Sequence, residues 1–155
     1  MALKVPASLK HEHDELHSEL VAATKAGGKT GSAAQAVARA LHPHFVKEEE
    51  YALPLLGLLA LLADGKQPPD RDAAIAMAER LKKDLGHMLH EHKAIVIELH
   101  KLMEAAKSEN RPEYVHFAEK LKLHAQTEEE VLYPSAILIG EYLKQKSERK
   151  AGQPA

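Results

Sequence analysis

Histidine and glutamate hold most of the chemical potential of this chain. Eleven of its 155 residues are histidine, roughly three times an ordinary share. Four of them recur in a pattern. His44 is followed four residues later by Glu48, and His124 by Glu128. His13 and His92 each come directly after a lone glutamate, Glu12 and Glu91. The segment 44–54 matches 124–134 at five of eleven positions: the histidine, three consecutive glutamates and the proline. His13 to His44 is a step of 31 residues and His92 to His124 one of 32. Residues four apart share a helix face, so each histidine would carry its glutamate inward with it. An isolated buried carboxylate is costly and normally neutralises. Two of them facing four imidazoles form a set that a pair of metal ions would stabilise. Imidazole and carboxylate suit iron, manganese or zinc; with no thiolate and two ions at bridging distance, iron leads.

The rest of the composition narrows the field. Cysteine is absent, which excludes disulfides, thiolate metal sites, iron–sulfur clusters and a cysteine nucleophile. The formal net charge is -2, so no excess positive charge exists to neutralise a nucleic-acid backbone. Trp is absent and aromatics are 4%, which leaves little for stacking bases. The longest apolar run, Leu53 to Ala63, contains Pro54 and Gly57 and is too short to span a bilayer. No apolar signal core follows Met1. The expectation is one cytoplasmic domain over 1–155, without nucleic-acid or membrane partners, as a monomer or homodimer.

The elements that must position these residues are helical. Leu9, Leu16 and Leu20 recur at helical spacing, predicting a helix over 8–26 with Ser8 as its N-cap and Gly27-Gly28 as its stop. Ser32 is the expected cap of a second helix to about Leu53, with a kink or bulge at Pro43. A third helix starts near Asp70 or Asp72 and keeps one apolar face from Ile75 to Met103. The fourth begins at Pro112, passes another expected kink at Pro134, and ends in a polar tail over 147–155 that is expected to fray. No strand pattern occurs. Four amphipathic helices with short first and last connections predict an all-α antiparallel four-helix bundle built from two duplicated hairpins. Counting about 1.5 Å per residue from the helix ends puts His13, His44, His92 and His124 at one depth. Leu81, Leu85, Met88, Val96, Leu99 and Met103 lie within about 40° of His92, and Phe117 and Val131 within about 20° of His124, so these histidines point inward.

The two His-x-x-x-Glu segments, each preceded by a Glu-His, resemble the hemerythrin and HHE cation-binding family over about residues 8–145. The resemblance implies a four-helix bundle around two non-haem iron ions, with a bridging oxygen species between them. Carried over by position, it implies that His13 and His44 ligate one iron and His92 and His124 the other, with Glu48 and Glu128 as bridges. Two departures separate this chain from the oxygen carriers of that family. Met88 stands where those have a second histidine four residues before the one matching His92. Glu128 stands at four residues where they have an aspartate at five. The set is more similar to the symmetric members associated with iron–sulfur repair, nitric oxide and peroxide chemistry. The expected function is therefore binding of, or reaction with, oxygen, nitric oxide or hydrogen peroxide, including a catalase-like or nitric-oxide-related activity. The alternative is a non-catalytic iron, oxygen or redox sensor, or an iron-binding module, whose assembly responds to metal oxidation.

Other residues have plainer readings. His17 lies one turn after His13 and is a candidate fifth histidine ligand. Glu49 and Glu129 fall about 100° beyond the bridging glutamates, on the solvent side or behind the ligands. Tyr51 and Tyr133 follow the bridging glutamates and read either as hydroxyls that bond the site or as core tyrosines near helix ends. His11, His42, His87, His90, His100 and His116 read as solvated. The leucines of 55–62 read as core or as a dimer-forming patch. A ferritin-like site would need two Glu-x-x-His motifs, and only Glu113-x-x-His116 fits.

Overall fold

Residues 3–152 are described by a computed structural model. All regular structure among them is helical. Helix α1 spans Ala7–Thr24 and α2 spans Gly28–Tyr51. A 3-10 turn over Leu53–Leu58 leads into a short α3, Leu59–Ala63. Helix α4 is long, Arg71–Ser108. Helix α5, Pro112–Thr127, passes through a π turn at Glu128–Leu132 into α6, Tyr133–Gly152, so that the two make one interrupted rod. Four long helices result. Helix α4 contacts α2, α5 and α6, while α1 contacts α2 and α5. No helix among the described residues is long and apolar enough to cross a membrane.

The helix starts depart from the sequence expectation for identifiable reasons. Ser8 makes no capping bond; the chain turns two residues earlier, at Pro6, whose carbonyl accepts from the amides of Leu9 and Lys10. Helix α2 starts four residues before Ser32, because its cap comes from elsewhere. Glu109, in the loop after α4, accepts from the Lys29 amide at 3.1 Å and from the Thr30 amide and hydroxyl at 2.7 and 2.6 Å. A carboxylate there satisfies orphan amides and complements the helix dipole. Gly28, at φ 61°, has no Cβ that would collide with that carboxylate. Helix α2 continues through Pro43 in unbroken α form. Helix α6 runs on past Ser147, where the sequence predicts fraying, to Gly152; residues 153–155 of the tail lie outside the described residues.

Two apolar clusters flank the polar layer. One gathers Leu16, Val37, Leu41, Phe45, Ile95, Leu99, Phe117 and Leu121. The other gathers Tyr51, Leu53, Leu55, Leu58, Leu81, Met88, Tyr133 and Leu143. The leucine-rich segment is therefore core at Leu55, Leu56 and Leu58, with only Leu59 well exposed among its leucines. Helix α6 approaches α4 closely where Gly140 meets Ala78. Each leucine removed from water contributes roughly 2 kcal/mol, and unpaired buried polar groups cost about 1–3 kcal/mol each. The flanking clusters thus carry the fold, and the polar layer between them is there at a net cost.

Candidate metal centre

Six polar side chains meet in that layer: His13, His44, Glu48, His92, His124 and Glu128, each with at most 6% of its surface exposed. They come from α1, α2, α4, the end of α5 and the π turn. The four histidines do lie at one depth. His13 Nε2 is 3.1 Å from His124 Nε2, and the rings of His44 and His92 are 4.5 Å apart. His13, His124 and Glu128 can surround one cation, and His44, His92, Glu48 and Glu128 a second. Glu128 serves both, with Oε2 at 3.7 and 3.3 Å from His13 and His124 Nε2 and Oε1 at 3.3 Å from His92 Nε2. This grouping differs from the pairing that the resemblance implies. Each position takes one histidine from each half of the repeat.

The reason lies behind the rings, where every site histidine meets a carboxylate from a neighbouring element. His13 Nδ1 meets Glu49 at 3.3 Å, His44 Nδ1 meets Glu91 at 3.0 Å, and His92 Nδ1 meets Glu129 at 3.1 Å. His124 Nδ1 meets Glu12. Glu49 comes from α2, so it holds the back of His13 and turns its Nε2 toward α5. The four glutamates follow the repeat: Glu12 and Glu91 precede a site histidine, and Glu49 and Glu129 follow a central glutamate. Carboxylates at Nδ1 fix the tautomer, with the proton on Nδ1 and the lone pair on Nε2. Of the two places the sequence allows Glu49 and Glu129, the solvent side or behind the ligands, they take the second.

Consider what this leaves in the interior. The Nε2 lone pairs of His13 and His124 face each other across 3.1 Å beside Glu128 Oε2. Those of His44 and His92 converge on one hydroxyl, Tyr133 Oη, at 3.1 and 3.2 Å, and that hydroxyl has a single proton, directed to Glu48 Oε2 at 2.9 Å. Glu48 Oε1 and Glu128 Oε2 have no hydrogen-bond partner although buried. Acceptors outnumber donors. Buried acceptors of this kind demand a partner, and cations of the sort that bind imidazole and carboxylate would supply it.

Electrostatics within the chain reflect the crowding. Burial, then the carboxylate of Glu128, pushes Glu48 well above the usual carboxylate range. Burial works against charge on Glu128 too, but hydrogen bonds from Glu48 and from the imidazoles of His124, His13 and His92 in their protonated form hold it well below that range. Of the two carboxyls, Glu48 holds a proton the more tightly. Burial lowers the pKa of His44. For His124 burial acts in the same direction, but Glu128 and Glu12 outweigh it and the value rises. Burial and the surrounding carboxylates raise the Tyr133 hydroxyl far out of its usual range.

Comparison with known proteins gives no match, neither to a family model nor to a curated protein nor to a solved structure. The donor set therefore stands on its own chemistry. His17 does not join it; it is exposed and lines a 160 Å³ surface cavity with Leu41, His42 and Phe45. Phe45 forms the floor and stacks on the His13 ring at 4.1 Å. His11, His42, His87, His90, His100 and His116 are all exposed, as expected of solvated residues. Met88 is buried beside Tyr51, whose hydroxyl bonds Asp84 away from the layer.

On the fourth helix one expectation fails and one of two readings is realised, both from a single cause. Val131 is 52% exposed instead of inward, and Tyr133 reaches the centre of the layer, where its hydroxyl bonds Glu48. An α-helix turns about 100° per residue, which would put Tyr133 about 140° from Glu128. A π turn advances roughly 80° per residue, which reduces that angle to about 40° and swings Val131 outward. Pro134 is the sequence signal, since its ring clashes with the carbonyl four residues back and its missing amide breaks the regular ladder.

Proposed function

We propose that this chain is a hemerythrin-like protein: an antiparallel four-helix bundle that holds two iron ions and binds or reacts with a small ligand, hydrogen peroxide, nitric oxide or oxygen. The observation that carries the proposal is the excess of buried, convergent lone pairs. Four imidazole Nε2 atoms and two glutamates face one another with too few protons between them. His44, His92 and Glu48 would hold one ion, His13 and His124 the other, and Glu128 would bridge them.

Iron bound there supplies redox chemistry and open coordination positions. The chain supplies the rest. Glu12, Glu49, Glu91 and Glu129 orient the imidazoles and raise their basicity. Leu16, Phe45, Ile95 and Met88 restrict water around the layer. The His13–His124 position has three protein donors, so it has the most room for an incoming ligand. The sequence departures at Met88 and Glu128 favour peroxide or nitric oxide chemistry over oxygen carriage.

The test is elemental analysis of the full chain purified without a histidine tag, loaded with ferrous iron under argon and desalted. Two iron ions per chain are expected; retention of none overturns the reading. Mixing the loaded protein with peroxide then tests the reaction. Oxygen evolution above that of free iron supports it, and turnover no faster than free iron removes the enzymatic part.

A further inference from the structure

Tyr133 is the one member of the layer that the metal reading leaves without a role. Its oxygen lies 2.9 Å from Glu48 Oε2, 3.1 Å from His44 Nε2 and 3.2 Å from His92 Nε2. These separations have a meaning. Donors bound at about 2.1 Å and at right angles around a six-coordinate ion stand about 3 Å apart. The Tyr133 oxygen thus already occupies a corner of the polyhedron that His44, His92 and Glu48 begin. As a mere core tyrosine, its hydroxyl would need one acceptor; here three acceptors surround it, and it can donate to only one of them. The π turn at Glu128–Leu132 is what brings it there.

We propose that Tyr133 is a fifth protein ligand, binding through its phenolate oxygen the ion held by His44, His92, Glu48 and Glu128. This rests on the dinuclear reading above. The hydroxyl proton is replaced by the cation and leaves to the buffer, one proton for each ion bound at this position. No electron moves in that exchange. The two metal positions then differ: five protein donors at one and three at the other.

The experiment reads colour and iron content separately. The full chain is loaded with ferrous iron, oxidised with ferricyanide, desalted, and examined by visible absorption and by resonance Raman excited within any visible band. Wild-type protein is expected to show a tyrosinate-to-ferric charge-transfer band with enhanced tyrosinate ring modes. Tyr133→Phe should lose both completely while keeping its iron. Tyr51→Phe should keep both, because Tyr51 bonds Asp84 outside the layer. Wild-type protein that holds two irons but lacks the band overturns the Tyr133 assignment and leaves the dinuclear reading standing. A band that survives in Tyr133→Phe overturns it too. If Tyr133→Phe fails to fold, the wild-type spectrum still decides. Wild-type protein that holds no iron overturns the dinuclear reading itself, and this proposal with it.

Discussion

His44 meets Glu91 through Nδ1 and turns its Nε2 into the molecule, and the same arrangement recurs at the other three site histidines. Removing a ligand and removing its support should therefore differ in degree. His44→Ala and Glu128→Ala each take away interior donors, and elemental analysis should find one iron or fewer per chain. His90→Ala alters an exposed side chain and should leave the content unchanged; equal iron in all three variants would refute the ligand assignment. Glu91→Ala keeps every interior donor but frees the His44 ring. Loss of such a supporting carboxylate typically weakens metal binding by about 10–100-fold, which chelator competition would measure. Unchanged affinity would mean that packing alone orients His44.

Among the elements, the π turn and the start of α2 show how helices are adjusted to serve the layer. A π turn holds one residue more than the α turn it replaces. Deleting Val131, which is exposed, should let the turn relax to α form with Tyr133 and His124 still facing inward. A loss of no more than about 4 °C in Tm is expected, as for a change of roughly 1 kcal/mol in a chain of this size. Deleting Leu123, which is still more exposed, removes a residue from a regular helix and rotates everything after it by about 100°, so a far larger loss is expected. Equal losses by circular dichroism would rule out the turn as an insertion. At the start of α2, Thr30 and Lys29 hold the Glu109 carboxyl below the usual carboxylate range. A lowered value adds stability above the unfolded-state value that disappears as pH falls through the folded one. Glu109→Ala should therefore lower Tm at pH 7 and have little effect once the carboxyl is protonated in both states; a loss independent of pH would argue against the charged cap.

For the molecule as a whole, metal and protons compete for one interior. Glu48 has a raised pKa, so in the metal-free chain its contribution to stability is present below the unfolded carboxylate value and is lost as pH rises through the folded one. A cation replaces that proton. Ligand binding at about a hundred times its dissociation constant adds about 2.7 kcal/mol, or about 5–10 °C in Tm for a chain of this size. Adding iron at pH 7 should raise Tm by that order, and the gain should shrink as pH falls because protons displace the metal. A gain independent of pH, or none, would show that Glu48 is not where the ion binds.

From the residues alone one can read that the chain is all-helical, that His13, His44, His92 and His124 share a depth, and that Glu48 and Glu128 turn inward with them. Those follow from period and spacing, which are local properties of a helix. Three things were decided only in three dimensions. Glu109 replaces Ser32 as the cap of α2, because a contact between distant loops satisfies the amides before the nearby serine does. His13 faces His124 instead of His44, because the carboxylate behind each ring comes from another helix and no periodicity says which. Tyr133 reaches the site and Val131 leaves the interior because a π turn alters the rotation per residue. Helical spacing fixes which residues can share a face; the packing of one helix on another decides where that face is aimed.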